Sequence, residues 1–299
     1  MNLIKINYRP EIDGLRAIAV FSVIIYHAKI FVFGNEFLTG GYLGVDIFFV
    51  ISGYLITSII YKELYQTKNF SYINFYKRRV RRILPVLFFV ITVSLPVAYF
   101  TLLPNSLIDF TKSIIYTIGF TSNFYFYFSG QEYSAVDSIF NPFLHTWSLS
   151  VEEQFYLIFP ILFVLLFNKF QKKLIFFIFT IISISILLAI FQTETNISKS
   201  FYFIHTRFWE LMSGSLIACF QYKNYFNNIN KKLSNILVNF SFLILIFSFL
   251  IFDQQTKHPS ILTLFPVVAI CCILLFINKD QIITKILSSK FLVFLGLIS

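Results

Sequence analysis

The chain has 299 residues and a formal net charge of +10; 57% of the residues are hydrophobic, 20% are aromatic and only 13% are charged. Soluble globular proteins carry about 25% charged residues, so this composition excludes a soluble enzyme, a nucleic-acid-binding domain and a disordered chain. The basic residues lie in short segments between apolar runs, where they orient a chain in a membrane. The sequence therefore predicts a multi-pass membrane protein.

Apolar runs of roughly the length needed to cross a bilayer, about 20 residues, predict an all-α transmembrane helix bundle. We expect about eight complete spans and the start of a ninth near residue 291, with the N-terminus in the cytoplasm because the basic segments then all lie inside. No soluble domain is expected within residues 1–299. The expected spans are 15–33, 42–61, 83–103, 147–167, 174–191, 205–220, 236–252 and 261–277.

The apolar run 114–128 does not fit this alternation. It is short for a span, and Gly119, Ser122 and Asn123 interrupt it. If it crossed the membrane, the basic segment near residue 170 would lie outside. We therefore predict a re-entrant or interfacial segment on the outer side.

The three cysteines lie inside apolar runs, at Cys219, Cys271 and Cys272. An adjacent pair and a single thiol make a poor disulfide framework, and their spacing is not that of metal ligands. We expect them to be packing residues, and we predict no metal site.

Ionisable residues inside apolar spans are costly and are by default candidates for function. Arg16 and His27 are eleven residues apart in the first span. On a helix this spacing places both side chains on one face, about 16 Å apart along the axis. His27 is the candidate general base, and the alternative is a core histidine bonded to neighbouring backbone.

Other spans place ionisable residues in the same outer layer, at depths of about 3 to 9 Å. A carboxylate in this layer could orient an imidazole and stabilise its protonated form. The alternative is a set of structural ion pairs that hold the helices together. We expect only a structural role for Glu153, which points 100° away from its neighbour. The candidates for catalytic support or acceptor binding are Asp46, Glu152, Arg207 and Glu210.

A cluster of five cations precedes the third span, within residues 77–82. Positive-inside anchoring explains one or two of them. Arginine binds phosphate oxygens with two parallel hydrogen bonds, so a cytoplasmic polyphosphate such as a nucleotide or coenzyme A is one expected ligand, and anionic lipid headgroups are the other. No glycine-rich phosphate loop accompanies the cluster.

Five blocks in order along the chain resemble the membrane acyltransferase-3 family, of the O-antigen acetylase type. The family's hallmark, an arginine and a histidine separated by ten residues, is matched by Arg16 and His27 within the block that begins at Tyr8. The later blocks are residues 40–53, 78–82, 145–156 and 207–211.

The resemblance implies an integral-membrane O-acyltransferase that moves an acyl group, usually acetyl, from cytoplasmic acyl-CoA to a hydroxyl of a cell-surface polysaccharide or its lipid-linked precursor. His27 would be the catalytic histidine and Arg16 its partner. The residues implied to contact acyl-CoA are Arg78, Arg79 and Arg82.

The resemblance also implies a setting, the bacterial inner membrane. The expected partners are membrane lipid, acyl-CoA as donor substrate and a glycan acceptor; neither nucleic acid nor a tightly bound cofactor is expected. Family members commonly have ten core spans, and some add an extracytoplasmic SGNH-type hydrolase domain. The chain is thus expected to stop within the penultimate core span, and a separate or missing C-terminal acyl-handling domain is a further expected partner.

Two other functional classes stay open at this point. A proton-coupled carrier of a glycan precursor or small acid would explain the intramembrane polar layer, but it gives the arginine cluster no task. A structural or lipid-sensing protein would explain the cluster, but not the shared face of Arg16 and His27. For an enzyme, direct transfer and an acyl-histidine relay are both chemically possible.

Overall fold

A computed structural model describes residues 8–130, 141–226 and 228–299, and this part of the chain is almost entirely helical. A short antiparallel hairpin pairs strand β1, Phe31–Val32, with strand β2, Asn35–Glu36. The all-α fold class is confirmed. The helices are α1 Pro10–Ala28, α2 Gly44–Thr67, α3 Tyr72–Thr101, α4 Pro104–Ile118, α5 Ser122–Phe128, α6 Thr146–Phe170, α7 Leu174–Thr195, α8 Ile197–Tyr202, α9 Ile204–Tyr222, α10 Lys231–Ile251, α11 Leu264–Phe276, α12 Ile282–Leu287 and α13 Lys290–Leu297.

Four helical segments of the described chain are long and apolar enough to cross a membrane, and a shorter apolar one covers Ile261–Phe276. One of the four joins α6 and α7 through a single 3₁₀ turn, so it contains two of the predicted spans. The chain is thus a multi-pass membrane protein. The count of eight spans and the cytoplasmic N-terminus stay predictions. The four segments are Gly41–Thr67, Tyr72–Thr101, Thr146–Thr195 and Lys231–Ile251.

Helix α2 lies at the centre of the bundle. In its most apolar stretch 83% of the residues are buried, compared with 17% in α3. It packs against α9 at very close range: a Cβ added to Gly53 would lie 1.8 Å from the Leu211 carbonyl oxygen, and one added to Gly214 would lie 1.9 Å from that of Val50. Small residues at a helix crossing allow backbones to approach in this way.

The arginine cluster lies within helix α3, before the apolar span that we predicted from residue 83. Helix α3 begins at Tyr72, after Ser71, whose hydroxyl accepts a hydrogen bond from the backbone N–H of Asn74 at 3.4 Å. Serine is a favoured N-cap, and arginine and lysine are good helix formers. The apolar span is therefore extended by three turns that carry the cations on fixed faces.

The segment 114–128 is divided between two helices. Helix α4 ends at Ile118, and α5 begins at Ser122 after a turn in which Phe120 has a positive φ of 52°. The break falls where Gly119 interrupts the apolar run, as the sequence suggested. Whether the segment is re-entrant stays a prediction.

Candidate active site

A cavity with two adjoining compartments lies between α1, α2, α3 and α6. The larger compartment has a volume of about 760 Å³ and the smaller one about 210 Å³. Their linings overlap, so the two compartments lie side by side. The shared side chains include Phe48, Arg82, Ile83, Leu149 and Glu152.

The cavity follows the axes of two helices. Along α6 its lining runs from His145, just before the helix, to Tyr156, eleven residues or about 16 Å apart. Along α1, Arg16 lines the smaller compartment and Val20 the larger one. His27 lies about two turns beyond Val20 on the same unbroken helix, and it does not line either compartment. That Arg16 and His27 share one face of this helix stays a prediction.

Three guanidinium groups meet in the smaller compartment, those of Arg16, Arg79 and Arg82. Arg79 lies over the ring of Tyr156, 4.5 Å from its centroid. Arg78 points elsewhere: it does not line the cavity, its side chain is 58% exposed, and its Nη2 is 3.9 Å from Glu63 Oε2. The structure thus brings Arg79 and Arg82 to the site together with Arg16, and it separates Arg78 from them.

Glu152 belongs to this arginine site, and not to a separate outer layer. Its Oε1 accepts short hydrogen bonds from the hydroxyls of Ser52 and Tyr156. Glu153 also lines the smaller compartment, although we expected it to have only a structural role. Because the compartment reaches both α2 and α3, it touches two successive side chains of α6.

The opposite end of the cavity carries a second histidine that the sequence analysis did not single out. His145 lines the larger compartment, and its side chain is open to that space. Protein packed around His145 desolvates the imidazole and lowers its pKa, and the nearby imidazole of His27 lowers that pKa further. A neutral imidazole can accept a proton. The only sequence signal for this role was the position of His145 at the start of a resembling block.

Asp46, Arg207 and Glu210 come together in a fully buried ionic cluster that does not line the cavity. Arg207 Nη2 donates to Asp46 Oδ1 at 2.7 Å, and Arg207 Nη1 donates to Glu210 Oε1 at 2.8 Å. The guanidinium carbon is 5.6 Å from the ring centroid of Trp147, and from those of two phenylalanines. Asp46 is bonded to Arg207 and not to His27. The geometry therefore matches the alternative in which these residues form structural ion pairs between helices.

His258 completes the ionic cluster from the segment between α10 and α11. Its Nε2 is 2.8 Å from Arg207 Nη1 and 3.4 Å from Asp46 Oδ1. If Arg207 donates to Nε2, the neutral ring carries its proton on Nδ1. His258 lies outside the predicted spans, so it was not among the candidate residues. Within the described ranges, no three His, Cys, Asp or Glu side chains are placed to hold a metal ion.

The chain matches the family model for an acyltransferase domain over residues 9–299. It is 36% identical over 310 aligned positions to the "Putative O-acetyltransferase SAS0844" of Staphylococcus aureus strain MSSA476, and the alignment covers 98% of this chain and 49% of that protein. It is 38% identical over 216 positions to O-acetyltransferase OatA of Staphylococcus aureus strain NCTC 8325, covering 71% of this chain and 34% of that protein. No solved structure matches the chain.

The chain thus spans about half the length of the first of these relatives and about a third of the second. The family match covers all five of the sequence blocks that suggested the resemblance, apart from Tyr8 at the edge of the first. The family match over nearly the whole chain shows that the chain belongs to the acyltransferase family.

Proposed function

We propose that the chain is the membrane domain of an O-acetyltransferase in the bacterial cytoplasmic membrane, which transfers acetyl from cytoplasmic acetyl-CoA to a hydroxyl of a cell-surface polysaccharide or its lipid-linked precursor. One observation carries this proposal: the cavity is cationic at the Arg79 end, apolar along its middle and bordered by histidine at the other end. Its relatives are named O-acetyltransferases, which supports the acetyl group.

The donor would enter at the smaller compartment. Guanidinium groups bind phosphate with paired, charge-assisted hydrogen bonds, so Arg79, Arg82 and Arg16 suit the phosphates of a coenzyme. The larger compartment, with side chains such as Phe48, Val86 and Leu87 on its walls, suits an extended arm that carries a thioester. The length of the lining along α6, about 16 Å, matches a long donor better than a small acid.

Transfer would take place near His27 and His145. One imidazole takes the proton of the acceptor hydroxyl as its oxygen attacks the thioester carbonyl. The C–S bond then breaks, and the departing thiolate receives the proton from the imidazolium. The products are an ester and the free thiol, and the histidine is regenerated. A mechanism through an acyl-histidine intermediate would give the same products in two steps.

The carrier alternative has less support. Its proton relay would need accessible carboxylates, but Asp46 and Glu210 are fully buried and ion-paired with Arg207. The arginine-lined compartment has no task in such a relay.

The proposal is tested with labelled acetyl-CoA supplied to membranes that contain the protein from its complete reading frame, following the label into surface glycan. Changing Arg79 and Arg82 to Ala should reduce incorporation by about 10²-fold or more, since two charged ligands of the phosphates are lost. Arg81→Ala is the matched control, because Arg81 belongs to the same cluster but does not line the cavity. Label that is unchanged in the double variant would refute the proposed donor site.

A further inference from the structure

A second pocket lies beside the C-terminal end of α1, next to His27 in the chain. It shares no lining residue with the donor cavity. Its volume is about 170 Å³. It is bordered by Tyr26 on α1, by Tyr42, by α8 and by the segment 253–258 that follows α10.

The floor of the pocket rests on the ionic cluster. His258 lines the pocket, is 6% exposed and bonds through Nε2 to Arg207. Its Nδ1 is buried and has no hydrogen-bond partner among the described residues. Because Arg207 is held in turn by Asp46 and Glu210, the imidazole of His258 is fixed in position beside the pocket.

Internal hydrogen bonds hold the wall of the pocket that residues 253–258 form. Asp253 Oδ1 accepts hydrogen bonds from the backbone N–H groups of Gln255 and Thr256, both at 3.0 Å, and from the Thr256 hydroxyl at 2.9 Å. Tyr42 donates its phenol hydrogen to the Asp253 carbonyl at 3.3 Å. These bonds set the shape of the segment before binding, which lowers the entropy cost of holding a ligand.

Ring contacts link the pocket to His27. The ring of His27 is 5.1 Å from that of Tyr26, Tyr26 is 5.5 Å from Tyr42, and Tyr42 is 5.1 Å from His258. Tyr26, Tyr42 and His258 all line the pocket. A ligand seated there would therefore contact Tyr26, whose ring contacts that of the proposed catalytic histidine.

The chemistry of the lining favours a neutral, polyhydroxylated ligand. Tyrosine and phenylalanine supply amphipathic ring surfaces, and amide and hydroxyl side chains supply donors and acceptors. Lys257, the cation among the described lining residues, is ion-paired with Glu194, so no free cation faces an anionic group such as a phosphate.

We propose that this pocket is the acceptor subsite and that it holds one neutral or N-acetylated sugar ring with a hydroxyl directed toward His27. The inference rests on the proposed acetyl transfer for its role, but the binding itself does not need the donor. It also gives the ionic cluster a function, since the cluster holds the floor of the acceptor subsite.

The binding test uses the full-length protein in phosphatidylcholine nanodiscs and saturation-transfer NMR with methyl glucoside, methyl N-acetylglucosaminide and glycerol 3-phosphate as probes. Ser198→Trp and Gln255→Trp each fill the pocket from a position that is not deeply buried. Thr195→Trp is the control, because Thr195 is exposed nearby but does not line the pocket.

We expect one or both glycosides to bind the wild type and the control, and each filling variant to weaken that binding at least tenfold. Glycerol 3-phosphate should not bind at the pocket. The proposal is overturned if neither glycoside binds the wild type, if both filling variants bind like the control, or if glycerol 3-phosphate binds and the filling variants abolish it.

Kinetics then separate this inference from the proposed function. In the filling variants the KM for the glycan acceptor should rise at least tenfold while the KM for acetyl-CoA stays unchanged. A wild type that binds glycoside but consumes no acetyl-CoA would refute the acetyl transfer and leave the sugar subsite standing. A wild type that transfers acetyl, with filling variants that keep its acceptor KM, would refute the subsite alone.

Discussion

Arg207 is completely buried among aromatic rings and contacts two carboxylates and an imidazole. A buried charge of this kind is tolerated only when partners replace its lost hydration, and removing one partner leaves the others uncompensated. The cluster joins α2, α9 and the segment before α11 into one unit. It is therefore a structural centre of the part of the bundle that carries the second pocket.

Replacement of Arg207 by Met should destabilise the protein by about 3–5 kcal/mol, because the carboxylates of Asp46 and Glu210 lose their counter-charge. The measurement is thermal unfolding of the detergent-purified protein. A triple variant with Arg207→Met, Asp46→Leu and Glu210→Leu should recover most of the loss, since no unpaired charge remains. An Arg207→Met protein that unfolds at the wild-type temperature would contradict this account.

His145, which lines the end of the donor cavity, and the nearby His27 are expected to act in the chemical step. His27→Ala should abolish acetyl transfer, and His145→Gln should lower kcat by about 10²-fold, within the range for loss of a general base. The KM for acetyl-CoA should not change in His145→Gln. The readout is transfer kinetics in membranes with equal amounts of inserted protein.

His205→Gln is the control for these variants, because His205 bonds to Gln192 on α7 and does not line the cavity. It should transfer acetyl at the wild-type rate. Full activity of His27→Ala would remove that residue from the proposed mechanism.

At the scale of helices, the crossing of α2 and α9 positions both sites. Helix α2 carries Ser52 to the donor cavity and Asp46 to the ionic cluster, while α9 carries Arg207. The two backbones can approach this closely because glycines lie at their contact, at Gly53 and Gly214. A side chain at either position would push the helices apart and displace residues of both sites together.

Gly214→Val should cost about 1–3 kcal/mol or more, the range for overpacking in a dense core, and it should reduce transfer as well as stability. Thermal unfolding and acetyl incorporation measure the two effects. Ser183→Val on α7 is the comparison, because its hydroxyl bonds within its own helix to the Phe179 carbonyl. If the two variants were equally stable, close packing at this crossing would not be required.

For the whole molecule, the proposed reaction requires that the two sites face opposite sides of the membrane. The arginines lie near the start of α3, and the acceptor pocket is walled by the segment 253–258. A donor from the cytoplasm and an acceptor at the cell surface would then meet near His27.

Single cysteines introduced at Arg81 and Gln255, after replacement of the three native cysteines, test this arrangement with a membrane-impermeant maleimide on intact cells. Cys at position 255 should react from outside, and Cys at position 81 should react only after the membrane is opened. Both positions are exposed. Labelling of both from the same side would exclude the topology that the function needs.

The sequence alone was enough to identify a helical membrane protein, the shared helix of Arg16 and His27, and the family. These follow from local signals: apolar runs of spanning length, helical periodicity and short ordered motifs. Each of these signals is contained in one segment of the chain and does not depend on the residues that pack against it in the fold.

Only the tertiary structure decided which charged residues share a site. It places Glu152 beside the arginines, separates Arg78 from them, joins Asp46 and Arg207 to His258, and brings His145 near His27. Depth along a span can be counted from sequence, but the direction in which a side chain faces its neighbours depends on how helices rotate and cross. In this protein the crossing of α2 and α9 depends on backbone contacts at glycines. Glycine has no charged side chain by which such a contact could be recognised in the sequence.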